Sequence, residues 1–206
     1  KVLGFPDAGV SSASKGETVA DTIRIISCYA DIAAMRHPKE GAPLRASLYS
    51  KIPVINAGDG ANQHPTQTML DLYSIYKTQG TLENLNIFMV GDLKYGRTVH
   101  SLLQAMSHFN PTFHFISPKE LEMPQAYKLF LDKLHIPYYE HSELDDVIND
   151  ADILYMTRVQ RERFADPLEY EKVKNVYILK NSMLAGTKDT MRILHPLPRV
   201  NEIDED

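Results

Sequence analysis

Eight short apolar runs of strand length punctuate this chain: Val2 to Phe5, Ile32 to Met35, Pro53 to Ile55, Ile87 to Val90, Thr112 to Ile116, Ile153 to Met156, Val176 to Leu179 and Arg192 to Leu194. Helical periodicity fills most of the gaps between them. Near-continuous apolar strands alternating with helices are the pattern of parallel sheets covered on both faces and built from βαβ units. An α/β fold is therefore expected. In open sheets of this kind ligands bind beyond the carboxyl ends of the strands, so the residues just after each run are the ones to inspect.

Those residues are strongly biased. The first run is followed by Ser11, Ser12, Ser14 and Lys15, the second by Arg36 and His37, and the third by Asp59, Asn62, Gln63 and His64. After Val90 come Asp92, Lys94 and Arg97, after Met156 come Thr157, Arg158 and Gln160, and after Leu194 come His195 and Arg199. The chain carries a formal net charge of −5, which speaks against a nucleic-acid surface and makes a local gathering of cations informative. Taken singly, each arginine reads as a surface residue with an ion-pair partner. Their joint position on one sheet edge instead implies an anionic ligand, because guanidinium forks match carboxylates and phosphates bidentately.

The stretch Asn56 to Asp71, NAGDGANQHPTQTMLD, brings a glycine-rich loop to a helix start. Pro65 suits the first helical position, where its missing N–H would be unpaired and its fixed φ already fits. His64 then sits at the mouth of the helix and Gln67 in its first turn. Met69, Leu72, Tyr73 and Tyr76 recur at the spacing of one helical face and predict the packed side of that helix. By itself the stretch is equally an ordinary capped helix with a solvent-exposed histidine.

Several chemistries are disfavoured. The segment from Gly91 to Gly96 has the strand–turn–helix layout of a dinucleotide-binding turn but lacks G-x-G-x-x-G, and no phosphate-binding P-loop occurs. Eight histidines and one cysteine show no H-E-x-x-H or C-x-x-C spacing, so no metal site is expected. No G-x-S-x-G elbow is present, and the serine cluster before Glu17 reads as a loop leading into a helix. The lone Cys28 lies in a helical-looking run, reads as core packing and suits a reducing cytosol. No apolar run reaches eighteen residues and no signal-like segment opens the chain, so neither a membrane span nor export is expected.

Six segments together carry a family resemblance: SSASKGE (Ser11 to Glu17), MRHPKEG (Met35 to Gly41), NAGDGANQHPTQT (Asn56 to Thr68), GDLKYGRTVHSL (Gly91 to Leu102), YMTRVQRER (Tyr155 to Arg163) and ILHPLPRV (Ile193 to Val200). In order and spacing they resemble the catalytic chain of aspartate carbamoyltransferase. Leu197, where ornithine carbamoyltransferases typically carry cysteine, together with the SKGE loop, favours aspartate as acceptor. The resemblance implies carbamoyl transfer from carbamoyl phosphate to L-aspartate in de novo pyrimidine biosynthesis, in the cytoplasm and without a cofactor. It implies that Arg36 and His64 polarise the carbamoyl carbonyl and that Gln67 orients the carbamoyl amine. Ser11, Leu197 and Pro198 would also contact carbamoyl phosphate, while Lys15, Arg97, Arg158 and Gln160 would bind aspartate.

The same resemblance implies two doubly wound parallel-sheet domains joined by the helix from Pro65. Residues 1–65 would be the later part of a carbamoyl phosphate domain, incomplete here, and residues 66–206 most of an aspartate domain without its final returning helix. The family's Ser-Thr-Arg-Thr-Arg phosphate cradle has no counterpart in these residues. The chain is thus expected to be the middle of a longer protein and inactive alone. Ser14 stands where some relatives carry a second lysine, leaving Lys15 as that loop's one cation. The Ser11–Lys15 loop implies a homotrimer with shared sites, joined in some members by separate regulatory chains. Three other readings stay open: an ornithine or other amino-acid carbamoyltransferase, a non-catalytic module of the same fold, and a nucleotide-dependent dehydrogenase using Gly91 to Gly96.

Overall fold

The computed structural model describes residues 2–4, 12–145, 147–159, 164, 166–174 and 176–205. It divides into two compact units, Lys1–Thr66 and Gln67–Asp206. In the first, helix α1 (Val19–Ile26) starts where the Thr18 hydroxyl accepts the Asp21 N–H at 3.2 Å, satisfying a donor that the helix itself leaves unpaired. Strand β1 (Ala33–His37), helix α2 (Ala42–Tyr49) and strand β2 (Val54–Asp59) form a βαβ unit with β1 and β2 parallel and Ala33 opposite Val54. Gly41, at φ 73°, supplies the left-handed residue that turns the chain into α2. Ala42 and Ala46 are buried small residues on α2, whereas Ile25, Tyr29, Leu44, Leu48 and Ile55 remain exposed.

Helix α3 (Pro65–Gln79) runs across the division between the units, with Pro65 as its first residue. Its buried positions are Thr68, Asp71 and Ile75, with Leu72 half-buried, which together make an i, i+3, i+4, i+7 stripe. The stripe predicted from apolar residues was Met69, Leu72, Tyr73 and Tyr76. Only Leu72 belongs to the inner side, and Met69 is 74% exposed. The displacement has a chemical reason: two of the inward positions are a threonine and an aspartate, which an apolar count passes over.

In the second unit, strands β3 (Asn86–Val90), β4 (Thr112–Ile116), β5 (Tyr138–His141), β6 (Ile153–Met156) and β7 (Arg192–Leu194) form one all-parallel sheet in the order β5-β4-β3-β6-β7. The chain starts at the centre, builds outward through β4 and β5, then returns to the other side for β6 and β7. The reversal between β3 and β6 is a topological switch point, where such sheets open a crevice at their carboxyl ends. Residues 87–90 and 153–156 are fully buried, so side chains alternating along each strand feed cores on both faces. One face gathers Ile87, Met89, Phe113, Phe115, Ile153 and Tyr155 with Ile75 and the α4 residues Val99, Leu102, Leu103 and Met106 (α4, Arg97–Met106). The other gathers Phe88, Val90, Ile116, Leu154 and Met156 with Leu144, Ile148 and Leu179. Helices α5 (Gln125–Leu134) and α6 (Pro167–Val173) complete the connections.

Four expectations need correction. Val176 to Leu179 is not a strand; Leu179 alone makes an isolated parallel bridge to Ile203. Residues 2–4 carry no strand, and Phe5 lies outside the described residues. Strand β5 was not foreseen, because Tyr138, Tyr139, Glu140 and His141 form a half-exposed edge strand rather than an apolar run. Cys28 is exposed, just beyond the end of α1, instead of packing in a core.

Candidate active site

In the first unit the loops after β1 and β2 are sewn together around one carboxylate. Asp59 ends β2 and is only 1% exposed. Its oxygens accept from Asn56 Nδ2 (3.0 Å), Asn62 Nδ2 (2.9 Å), the Gly41 N–H (2.8 Å) and the Gln63 N–H (3.1 Å). Burial acts to raise its carboxyl pKa, but these four donors outweigh it and hold the group below the usual carboxylate range. The Gly60 N–H donates to the His37 carbonyl at 2.9 Å, and a Cβ at Gly60 would stand 2.6 Å from the Pro38 carbonyl oxygen. Only glycine permits that approach at φ 57°. The loop following Arg36 is thereby held against the loop leading to His64. Arg36 is exposed; the half-buried His64 has its Nδ1 3.3 Å from the Thr66 hydroxyl.

In the second unit the switch-point loops are locked in the same manner. Thr157, just past β6, donates its hydroxyl to the Val90 carbonyl (2.9 Å) and accepts the Asp92 N–H (3.0 Å). Asp92 Oδ1 accepts the Tyr95 N–H at 2.9 Å, setting the turn from which Arg97 opens α4. A Cβ at Gly91 would meet the Thr157 carbonyl oxygen at 2.4 Å, and one at Gly96 would meet the Asp92 carbonyl oxygen at 2.5 Å. Both glycines serve close approach of this chain to itself, which accounts for them without a pyrophosphate. Arg97 and Arg158, both half-buried, therefore leave adjacent strands from loops that are hydrogen-bonded to each other.

The loop after β7 is built on His195. Its Nδ1 accepts the Leu197 N–H at 2.8 Å, which puts the ring proton on Nε2, 2.8 Å from Glu202 Oε1. Glu202 is buried and also accepts the Val200 and Asn201 N–H groups at 3.1 Å each. Burial works to raise its pKa, yet the His195 hydrogen bond and the backbone donors prevail and hold it low. Leu197, 68% exposed and at φ 55°, is presented beside Pro198 at the carboxyl edge of the sheet. Arg199 instead turns Nη1 to the carbonyls of Ile203 (3.3 Å) and Asp204 (3.4 Å) within its own loop.

Gln67, in the first turn of α3, donates from Nε2 to Asp71 at 2.9 Å. Lys15 ends an exposed 3₁₀ turn, Ser12–Lys15, in the first unit. Ser11 and Gln160 lie outside the described residues. Residue types placed Asp59, Asp92, Thr157 and His195 after strands without giving them a task, named Tyr155 only as the start of a family segment, and left Glu202 out altogether. Asp71 had a readable signal, since it follows Gln67 by one helical turn. Among the described residues no group of three or more His, Cys, Asp or Glu could hold a metal ion, and no helix is long and apolar enough to cross a membrane.

Comparison with known proteins adds a second line. Residues 1–77 match the carbamoyl-P binding domain model of aspartate/ornithine carbamoyltransferase, and residues 83–206 match its Asp/Orn binding domain model. The aspartate carbamoyltransferase catalytic subunit of Bacteroides thetaiotaomicron is 68% identical over 207 residues, covering 100% of this chain and 66% of the relative. That of Clostridium kluyveri is 58% identical over 98% of this chain and 67% of the relative. The chain thus spans about two thirds of the length of the relatives it matches. The solved catalytic subunit of M. jannaschii aspartate transcarbamoylase superposes with TM-score 0.88 at 52% identity over 98% of this chain and 66% of that one. The Trypanosoma cruzi aspartate transcarbamoylase, solved with carbamoyl phosphate and aspartate, does so with TM-score 0.88 at 34% identity over the same shares. With the switch-point loops, their arginines and both family models in agreement, the chain belongs to the aspartate/ornithine carbamoyltransferase family.

Proposed function

We propose that the protein containing this chain transfers the carbamoyl group of carbamoyl phosphate to the amine of L-aspartate, giving N-carbamoyl-L-aspartate and phosphate. The observation that carries this reading is the pair Arg97 and Arg158 leaving adjacent strands from mutually hydrogen-bonded loops at the switch point. Two guanidinium groups suit a dicarboxylate acceptor. The names of the relatives support the same choice, and the Trypanosoma cruzi enzyme has been solved with both substrates and with N-(phosphonacetyl)-L-aspartic acid.

In the proposed reaction the aspartate nitrogen attacks the carbonyl carbon, a C–N bond forms and the carbonyl electrons move onto oxygen. The oxyanion then collapses, the bond to the phosphate oxygen breaks, and the proton lost by the amine leaves on phosphate. Arg36 and His64 donate to the developing oxyanion, which stabilises the transition state more than the ground state. Gln67 orients the carbamoyl amine. Leu197 and Pro198 offer backbone carbonyls to carbamoyl phosphate, and Ser11 also contacts it. Arg97, Arg158, Gln160 and Lys15 hold the aspartate carboxylates. Holding two reactants in register supplies much of the remaining acceleration.

On this reading residues 1–65 serve carbamoyl phosphate and residues 66–206 serve aspartate. The reaction would belong to cytoplasmic pyrimidine synthesis, in a homotrimer with shared sites and, where present, separate regulatory chains. The test is to assay the full-length chain with aspartate and ornithine side by side. Carbamoyl aspartate alone is the expected product; preference for ornithine, or no transfer to either, overturns the reading.

A further inference from the structure

Asp71 lies one helical turn after Gln67 on the buried side of α3, where i and i+4 side chains meet. Its Oδ1 accepts from Gln67 Nε2 and its Oδ2 accepts from the Tyr155 hydroxyl, each at 2.9 Å. Tyr155 is fully buried in β6, and its hydroxyl is also hydrogen-bonded to the Thr98 side chain, next to Arg97 in the first turn of α4. The four side chains form one polar line through the second unit, from the start of α3 to the start of α4.

The line has a direction. An ionised carboxylate accepts and cannot donate, so the carboxamide it meets turns its NH₂ end inward and its carbonyl end away. Burial pushes the Tyr155 hydroxyl pKa up, and the neighbouring Asp71 charge pushes it further, so the phenol keeps its proton and donates as well. Burial likewise pushes the Asp71 carboxyl up, while the hydrogen bonds from Gln67 and Tyr155 act against that rise. With both oxygens of Asp71 accepting, the orientation of the Gln67 amide is determined by its partner.

We propose that Asp71 is a positioning residue: held by Tyr155, it fixes the Gln67 carboxamide so that the carbonyl oxygen is the end that accepts from the carbamoyl amine. This rests on the carbamoyl-transfer reading and deepens it. It also couples the amine-orienting glutamine to the helix start that bears Arg97, so the contacts to the two substrates share one rigid support.

The test uses the full-length chain and four variants: Asp71→Asn, Tyr155→Phe, Gln67→Ala and the double variant Gln67→Ala/Asp71→Asn. An asparagine amide can donate, which lets Gln67 turn its NH₂ end toward the carbamoyl amine and set donor against donor. Asp71→Asn should lower kcat roughly tenfold and Tyr155→Phe several-fold, the scale of one misplaced hydrogen bond. In the Gln67→Ala background the same Asp71→Asn change should alter kcat by less than about twofold, because its target is gone. A merely structural role would lower kcat equally in both backgrounds, and that result overturns the proposal. So does a folded Asp71→Asn or Tyr155→Phe chain with wild-type kcat. Should Asp71→Asn fail to fold, a fifth variant, Gln67→Ala/Tyr155→Phe, set against Tyr155→Phe decides by the same comparison. A wild-type chain that transfers no carbamoyl group overturns the functional reading and this inference together, whereas active wild type with additive losses overturns the inference alone.

Discussion

The Thr157 hydroxyl receives the Asp92 N–H at 3.0 Å while donating to the Val90 carbonyl at 2.9 Å, tying the loop that follows β6 to the loop that follows β3. Thr157 directly precedes Arg158, and Asp92 sets the turn that delivers Arg97, so one hydroxyl spaces the two arginines. Thr157→Val keeps the shape and removes both bonds. The expected result is a KM for aspartate raised about tenfold and a stability loss of about 1–3 kcal/mol, the cost of leaving a buried donor unpaired. Steady-state kinetics beside urea unfolding would check it. An unchanged KM in a destabilised variant would show that the loops keep their spacing without the hydroxyl.

A second relay supports Leu197. Because His195 accepts the Leu197 N–H and sets its Nε2 2.8 Å from the buried Glu202 carboxylate, His195→Ala strips one neighbour from each. The loop should loosen at the backbone carbonyls assigned to carbamoyl phosphate. We expect the KM for carbamoyl phosphate to rise roughly tenfold, the scale of one lost hydrogen bond, with the KM for aspartate little changed. Equal increases for both substrates would count against a local role.

How much of this was readable beforehand depends on the kind of contact. Strands β3, β4 and β6 declare themselves because burial on both faces demands an apolar run, whereas β5 is an edge strand with Glu140 and His141 and gives no such signal. Arg97 and Arg158 follow from topology, since parallel strands place their following loops on one edge. The partners that hold those loops do not follow, because Asp92 and Thr157 are 65 residues apart and Asp71 and Tyr155 are 84 apart. Local periodicity carries no information about such pairs. It also misplaces α3 by one residue wherever Thr68 and Asp71, rather than neighbouring apolar residues, point inward.

Asp59 makes a sharp test in the first unit. Asparagine in its place has the same shape but turns an NH₂ toward donors, so at least one of the Asn56, Asn62, Gly41 and Gln63 contacts is lost. Asp59→Asn should cost about 2 kcal/mol or more, from an unsatisfied buried donor. Because the Asp59 pKa is lowered in the folded state, its contribution is fully present above the unfolded value of 3.8 and is lost as pH falls through the lower folded value. The wild-type advantage over Asp59→Asn in thermal melting should therefore be constant from pH 8 to 5. An advantage that vanishes in that range would show that the carboxylate is not the source.

His114 predicts a loss of stability in acid as well, but in a higher pH window. It stacks on Phe88 with ring centroids 4.1 Å apart, and its Nδ1 lies 3.0 Å from His141 Nε2. Burial, followed by repulsion from His141, pushes its pKa down to about 4 from 6.5, with Asp150 opposing. Above pH 6.5 the ring is neutral whether the chain is folded or not, and it adds no pH dependence. Between 6.5 and about 4 the unfolded chain binds a proton that the native fold refuses, so stability falls as pH falls and the effect levels off below that window. His114→Phe removes the titrating ring and keeps an aromatic stack. Its urea midpoint should decline less from pH 7 to 5 than that of the wild type. Parallel declines in the two proteins would mean that acid sensitivity in this range arises elsewhere.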